Sequence, residues 1–92
     1  MSRRKGELSE SGIDRGWPHQ VAVRASATKG AQHAAALEFC KNLSLAPRKH
    51  SFRRDDQDWN VWCFAEEAHA QAFQREFGGE FVTPKTRPRW PG

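Results

Sequence analysis

The chain has 92 residues and carries a net charge of +4 at neutral pH, from 15 Lys and Arg against 11 Asp and Glu. This length predicts one domain, and no apolar run is long enough to cross a membrane. Two cysteines without a charged and apolar leader favour a cytoplasmic protein with reduced thiols. The composition therefore argues against a membrane protein and against a secreted disulfide scaffold.

The two ends of the chain differ from its middle. Residues 1–16 are mostly polar, with Leu8 and Ile13 as large apolar residues, and are expected to form a flexible arm. Residues 83–92 combine three prolines with basic residues and are expected to form a basic, proline-rich tail. The domain is therefore predicted to span residues 17–82, which is close to the smallest size that folds unaided.

A short helical turn over residues 9–14 is an alternative to a wholly flexible arm. The domain itself is predicted to begin with a strand followed by a helix. Residues 19–25 alternate, with Val21 and Val23 on one side, as in a half-buried strand. Residues 30–43 follow as a helix that begins after small polar residues and ends before a proline. One face of this helix is expected to hold Gln32, Ala36, Phe39, Cys40 and Leu43.

A hairpin is predicted next. Residues 48–54 are strongly charged, with Phe52 as their one large apolar residue, which is typical of an edge strand. A polar loop of about four residues, 55–58, then leads into an apolar strand over residues 59–64. The hairpin therefore joins a charged edge strand to a strand that belongs in the core.

A second helix is predicted to follow directly and to end at Gly78 or Gly79, since glycine readily adopts the left-handed conformation at helix ends. Residues 80–82 form a short last strand. The inner face of this helix is expected to hold Ala65, Ala68, His69, Ala72, Phe73 and Phe77.

This order of elements predicts an α+β domain. Right-handed crossovers and hairpin pairing give a four-stranded antiparallel sheet with two helices on one face, the ferredoxin-like βαββαβ sandwich. The other face of the sheet is then uncovered.

Binding is expected on this uncovered face. Trp62 and Phe64 are expected to face the helices, because Phe64 leads directly into the second helix, so that Trp59, Val61 and Cys63 lie on the open side. In the alternative arrangement, Trp62 and Phe64 are on the open side instead. The neighbouring strands are expected to contribute Gln20, Ala22, Arg24, Lys49, Ser51, Arg53 and Val82 to the same side. An exposed aromatic patch of this kind indicates contact with a partner.

Two kinds of partner fit such a face. In the first hypothesis, a small non-enzymatic binding or assembly module pairs with a second copy, forming a homodimer, or with another protein. In the second, single-stranded RNA or DNA stacks on Trp59 while phosphates contact the basic residues Arg24, Lys49, Arg53 and Arg54. An enzyme using His69 or Cys63 is a third alternative. No catalytic residue, metal or other cofactor is predicted, because the histidines and cysteines lack the spacing of a metal motif.

The element order resembles that of the RNA recognition motif. That family carries a basic residue, a glycine and alternating aromatics on its third strand, where this chain has QDWNVWCF. Only Trp59 matches a stacking position, so the resemblance implies the fold and not the activity. The segments RRKGEL, GWPHQV, LSLAPRKHSFRRDD and FGGEF also resemble short bacterial proteins with no assigned function. That resemblance covers most of the chain and implies no activity.

Overall fold

The computed structural model describes residues 10–87, which form a four-stranded antiparallel sheet and three helices. The helices are α1 (Glu10–Gly16), α2 (Ala31–Phe39) and α3 (Glu67–Phe77). The strands are β1 (His19–Arg24), β2 (His50–Arg54), β3 (Gln57–Phe64) and β4 (Glu80–Val82). Short 3₁₀ turns follow β1 and α2, at Ala25–Thr28 and Cys40–Asn42. The predicted α+β class and four-stranded antiparallel sheet are confirmed.

The strands lie in the order β2-β3-β1-β4, and each neighbouring pair is antiparallel. The prediction that the charged segment forms an edge strand is therefore confirmed. In the central strand β1, four successive residues from Gln20 to Val23 are buried, although the sequence pattern predicts a half-buried strand. Successive residues of a strand point to opposite faces. Burial of all four therefore means that both faces of the sheet are covered.

One face packs against α2 and α3. Trp62 stacks on Phe73 of α3, with ring centroids 4.9 Å apart, and Phe64 contacts the same ring from 5.4 Å. The prediction that Trp62 and Phe64 face the helices is confirmed. The buried residues of this first core are Val21, Val23, Ala36, Cys40, Trp62, Phe64, Ala70 and Phe73.

The buried face of each helix differs in part from the predicted one. In α3 the buried positions are Ala70 and Phe73, whereas Ala68 is exposed and Ala65 precedes the helix. Because α3 begins at Glu67, Ala65 lies outside the helix, and the turn that holds Ala70 and Phe73 faces the sheet. In α2, Gln32 is likewise exposed, while Ala36 is buried as expected.

The opposite face packs against α1, which corrects the expectation of an uncovered side. Ile13 of α1 is only 2% exposed, and its burial stabilises the fold by about 2 kcal/mol. The buried residues of this second core are Ile13, Ala22, Ala46, Phe52, Val61, Cys63 and Val82, with Trp17 and Trp59 packed against them. The prediction of a flexible arm is therefore wrong for residues 10–16, while residues 1–9 lie outside the described residues.

A polar network joins α1 to the end of the described chain. Arg87 Nη1 donates to Asp14 Oδ1 over 2.7 Å and to Gln20 Oε1 over 2.9 Å. Gln20 Nε2 and His50 Nε2 also donate to Asp14 Oδ1, over 2.9 Å and 3.0 Å. Arg87 is 3% exposed. The expectation of a separate tail is therefore wrong up to Arg87, because its guanidinium is held in this network, and residues 88–92 lie outside the described part.

The β2–β3 hairpin turns in two residues rather than the predicted four. Arg54 pairs with Gln57, and Asp55 and Asp56 between them have φ angles of 55° and 63°. Aspartate tolerates this left-handed region better than most residues, and two such residues form the turn that suits the twist of a hairpin. Pairing consequently extends to the polar residues that were assigned to the loop.

The end of α3 follows the prediction. Gly78 caps the helix with a φ of 81°, and Gly79 follows with a φ of 105°. At Gly79 a Cβ atom would lie 2.6 Å from the Ala22 carbonyl oxygen. The second glycine is thus required both by its conformation and by the close approach of β1.

Candidate binding site

Trp59 is half-buried on the face of the sheet opposite α2 and α3. The strand register places it directly between Arg24 of β1 and Phe52 of β2. Residues directly opposite each other on neighbouring strands share a face, so these three side chains form a row across the sheet. The rings of Phe52 and Trp59 are nearly parallel, at 10°, with centroids 5.8 Å apart.

Two arginines lie over the indole of Trp59. The Cζ atom of Arg54 is 4.4 Å from the ring centroid, and that of Arg24 is 5.6 Å away. Both distances are within the range of cation–π attraction, and a guanidinium can also stack on an aromatic face. The indole therefore lies in a strongly cationic environment.

The guanidinium of Arg54 also forms an ion pair with the carboxylate of Glu80. Arg54 is on β2 and Glu80 on β4, which are the two edge strands. The Arg54 side chain therefore extends over the central strands, and its contact with Trp59 lies along that path. Both partners are partly exposed, and ion pairs of this kind contribute about 1 kcal/mol or less. We call Arg24, Phe52, Arg54, Trp59 and Glu80 the Trp59 site.

The indole nitrogen of Trp59 is buried and has no hydrogen-bond partner among the described residues. Leaving a buried donor unpaired costs about 1–3 kcal/mol, and native structures rarely do so without a reason.

Two open depressions adjoin the site. One, of about 370 Å³, is bordered by Trp59, Arg24 and Glu80 together with Phe77 and Gly79. The other, of about 670 Å³, is bordered by Arg24 and by Lys29, Ser26, Gln57 and Asp58. Arg24 is therefore shared by both depressions, and Lys29 adds a further positive charge to the larger one.

Val61 and Cys63 lie on the same face as Trp59, as predicted, but they are not accessible. Both are 0% exposed because the second core, including Ile13, covers them. Burial raises the pKa of the Cys63 thiol to about 12, an effect that the nearby Arg87 only partly opposes. The expectation that Val61 and Cys63 contact a ligand is therefore wrong, and a thiol that is protonated at neutral pH is a poor nucleophile.

The prediction for β2 is displaced by one residue. Phe52 pairs with Trp59, so His50, Phe52 and Arg54 lie on the Trp59 face, whereas Lys49, Ser51 and Arg53 were expected there. Arg53 instead pairs with Asp58, over 2.8 Å, and Lys49 Nζ lies 4.7 Å from the ring of Trp62. The reason is that the large apolar side chain of Phe52 packs in the second core, beneath α1, a core that the sequence analysis did not predict.

Phe52 and Glu80 are the two members of the Trp59 site that sequence reasoning missed. Val82 was expected on the open face, and its pairing with Gln20 agrees with this. Strand alternation places Glu80 on the same face as Val82, so the signal was present in the sequence. By contrast, no sequence pattern links Asp14 to Arg87, since the two residues are 73 positions apart.

His69 lies beside Ser44, and this contact was not predicted from the sequence. The Ser44 backbone N–H donates to His69 Nδ1 over 2.9 Å, and the Ser44 hydroxyl lies 2.8 Å from the same nitrogen. Glu66 Oε1 is 3.6 Å from His69 Nε2. Ser44 Oγ, however, accepts hydrogen bonds from the backbone N–H groups of Ala65 and Glu66, each over 3.1 Å. These bonds occupy the oxygen lone pairs, so Ser44 satisfies backbone donors at the start of α3 and the arrangement favours a structural role over catalysis.

Within residues 10–87, no group of three or more His, Cys, Asp or Glu side chains is placed to hold a metal ion. No helix in this range is long and apolar enough to cross a bilayer. Comparison of the chain with protein-family models, with curated proteins and with solved structures gives no significant match. Functional inference therefore depends on the Trp59 site itself.

Proposed function

We propose that this domain is a non-enzymatic binding module and that it binds single-stranded nucleic acid at the Trp59 site. The observation that carries the proposal is the pair of guanidinium groups over one half-buried indole. Proteins bind single strands by stacking bases on aromatic rings and by tracking the phosphates with basic side chains, without reading a sequence. The net charge of +4 also favours the approach of a polyanion.

In this proposal each part of the site has its own role. Trp59 offers the stacking surface, and Arg24 with Lys29 contacts phosphates along the larger depression. Lys49 and Arg53, on the other face, are not part of the contact. The same chemistry accepts RNA or DNA, because neither stacking nor phosphate contact requires a 2′-hydroxyl.

The ferredoxin-like arrangement is part of the proposal. In this arrangement each helix crossover joins two strands that flank a third, so the two crossovers interlock. The order β2-β3-β1-β4 supports it, because β3 lies between β1 and β2, which α2 connects, and β1 lies between β3 and β4, which α3 connects. Packing of both helices against Val21, Val23 and Trp62 supports it further.

Titration of a short fluorescein-labelled oligouridine with the protein, followed by fluorescence anisotropy at several salt concentrations, tests the nucleic-acid proposal. We expect binding that weakens linearly with the logarithm of salt concentration. Trp59→Leu should weaken binding roughly 5- to 150-fold, because base–aromatic stacking contributes about 1–3 kcal/mol per base. Arg24→Gln should reduce the salt slope by about one phosphate contact.

Two matched variants control this experiment. Trp17→Leu removes an indole that packs against the same core but is not part of the Trp59 site, and Arg15→Gln removes an exposed charge of α1. Both should bind the oligonucleotide as the parent chain does. Equal losses for Trp17→Leu and Trp59→Leu, with intact folds by circular dichroism, would contradict the assignment to Trp59.

Self-association is a second candidate, which a different observation favours. Phe81 of the edge strand β4 is 55% exposed. Two copies pairing antiparallel about Phe81 would place Glu80 opposite Val82 of the other copy, so that no like charges oppose each other. The face-to-face dimer expected from the sequence is not supported, because Val61 and Cys63 of its predicted interface are buried within the chain.

Light scattering over a range of protein concentrations tests self-association. We expect a dimer that Phe81→Glu converts to a monomer, because it would set two carboxylates against each other across the edge. Leu37→Glu is the matched control, since Leu37 is also an exposed apolar residue, on α2. A parent chain that stays monomeric throughout would rule out this second candidate.

A further inference from the structure

The ring of Trp59 is covered in the free protein. Arg54 lies over the indole at 4.4 Å and is held there by its ion pair with Glu80, which comes from the opposite edge of the sheet. A base that stacks on the outer side of this ring requires the guanidinium to move. Binding therefore requires that the ligand separate Arg54 from Glu80.

We infer that Glu80 is an internal substitute for a ligand phosphate, and that binding exchanges the carboxylate for a phosphate on Arg54. This inference rests on the proposed binding of nucleic acid at the Trp59 site. It defines the ligand more closely: a phosphate must lie beside an unstacked base, so that one group draws Arg54 aside while the other takes its place over the indole.

The chemistry of the three groups supports an exchange. A guanidinium forms paired hydrogen bonds with carboxylates and with phosphates in the same planar geometry, so Arg54 exchanges one partner for an equivalent one. The Arg54–Glu80 pair is partly exposed and weak, so that breaking it opposes binding only modestly.

The inference predicts that removing the Glu80 carboxylate strengthens binding of the oligonucleotide. The gain should exceed that produced by removing one negative charge elsewhere on the surface. Glu80→Gln should bind the labelled oligouridine about two- to fivefold more tightly than the parent chain, the range that a weak surface ion pair represents. Glu38→Gln, at an exposed position on α2, changes the net charge by the same amount and is the matched control. The gain should depend on Arg54, so Arg54→Gln with Glu80→Gln should bind no more tightly than Arg54→Gln alone.

The outcomes separate this inference from the proposed function. If the parent chain binds the oligonucleotide but the Glu80→Gln and Glu38→Gln variants bind it equally tightly, the inference is overturned and the proposed function stands. A gain at Glu80→Gln that persists without Arg54 also overturns it, because the carboxylate would then act by general repulsion. Absence of binding by the parent chain and every variant overturns both.

Discussion

Arg87 Nη1 lies 2.7 Å from Asp14 Oδ1, so the last described turn of the chain is bonded directly to the first helix. The two residues are 73 positions apart and form an ion pair in which Arg87 is buried and Asp14 partly buried, and Gln20 and His50 also contact the carboxylate. A buried pair of charges stabilises a fold only when its geometry is good and its remaining hydrogen bonds are satisfied. Here the carboxylate accepts from three side chains, so the network secures α1 against the sheet.

Asp14 should make stability depend on pH in the acid range. Burial alone raises the pKa of this carboxyl, but hydrogen bonds from Arg87, Gln20 and His50 and the charge of Arg87 outweigh it, and the pKa falls from 3.8 to about 2. A depressed pKa stabilises the folded state above the unfolded pKa, so this contribution, on the order of 2 kcal/mol, is lost as the pH falls from about 4 to about 2. Urea unfolding followed across this range measures the loss.

The variant Asp14→Asn isolates that contribution. At neutral pH it should lower the free energy of unfolding by about 3 kcal/mol, because the buried charge of Arg87 loses its counter-ion. Its deficit relative to the parent chain should shrink as the pH falls from about 4 to about 2, because over this range the parent chain loses the stabilisation that its ionised carboxylate provides. Glu38→Gln, on the surface of α2, is the control and should follow the parent chain. A deficit that is constant with pH would contradict the role assigned to the ionised carboxylate.

Ile13→Ala should show that α1 belongs to the domain. Ile13 is buried in the second core, and such truncations cost about 2–5 kcal/mol in well-packed sites. We expect a value near the lower end, about 2–3 kcal/mol, because a short helix can settle into part of the space. Leu37→Ala, where the side chain is 44% exposed, removes similar apolar volume and should change stability by less than about 0.5 kcal/mol. Equal, small effects at both positions would mean that α1 is not docked.

Gly79→Ala should be more destabilising than Gly78→Ala. Both glycines have positive φ angles, which cost a residue with a Cβ atom about 1–2 kcal/mol. At Gly79 the added atom would also meet the Ala22 carbonyl and a methyl group of Val23, whereas nothing lies within 4 Å at Gly78. We expect a loss of about 2–4 kcal/mol at Gly79 and about 1–2 kcal/mol at Gly78. Thermal unfolding of the two variants measures both losses of stability. An equal loss at the two positions would show that the backbone conformation alone, and not the close approach of β1, determines the effect.

The two thiols should be protected in the folded state. Burial raises the pKa of Cys40 to about 11 and that of Cys63 to about 12, so almost no thiolate is present at neutral pH. We expect slow reaction of both with a disulfide reagent, at a rate that follows the unfolding of the chain, and fast reaction in urea. Ser51→Cys places a thiol at an exposed position of β2 and should react at once. Fast native-state reaction without that substitution would contradict the burial of both residues.

Local patterns were sufficient to predict most of the fold. The bounds of β4, Glu80–Val82, match the prediction, and α3 ends at the predicted glycine because the conformation that glycine allows is a property of one residue. The preferred face for Trp62 and Phe64 was also correct, because Phe64 leads directly into α3 and both rings contact Phe73. Each of these predictions depends only on residues that are close together in the sequence.

The parts that failed depend on distant residues. A short polar segment with one isoleucine carries too little apolar periodicity to predict a docked helix, and α1 packs only because the sheet offers a second apolar face to Ile13. The same oversight reversed β2, since Phe52 was assigned to the only core that had been predicted. For the candidate site, Trp59, Arg24 and Arg54 were found in the sequence. Strand alternation also places Glu80 on the predicted open face, but its ion pair with Arg54 could not be predicted, because the two residues are 26 positions apart.

The bond between Asp14 and Arg87 has a consequence for synthesis. On the ribosome, the carboxylate is made 73 residues before the guanidinium that neutralises it. Closing so long a loop is slow and entropically unfavourable, so the nascent chain can assemble β1, β3 and α3 before the first helix has its partner. We therefore expect the polar network that holds α1 to be completed late in folding, after Arg87 has been made and has reached Asp14.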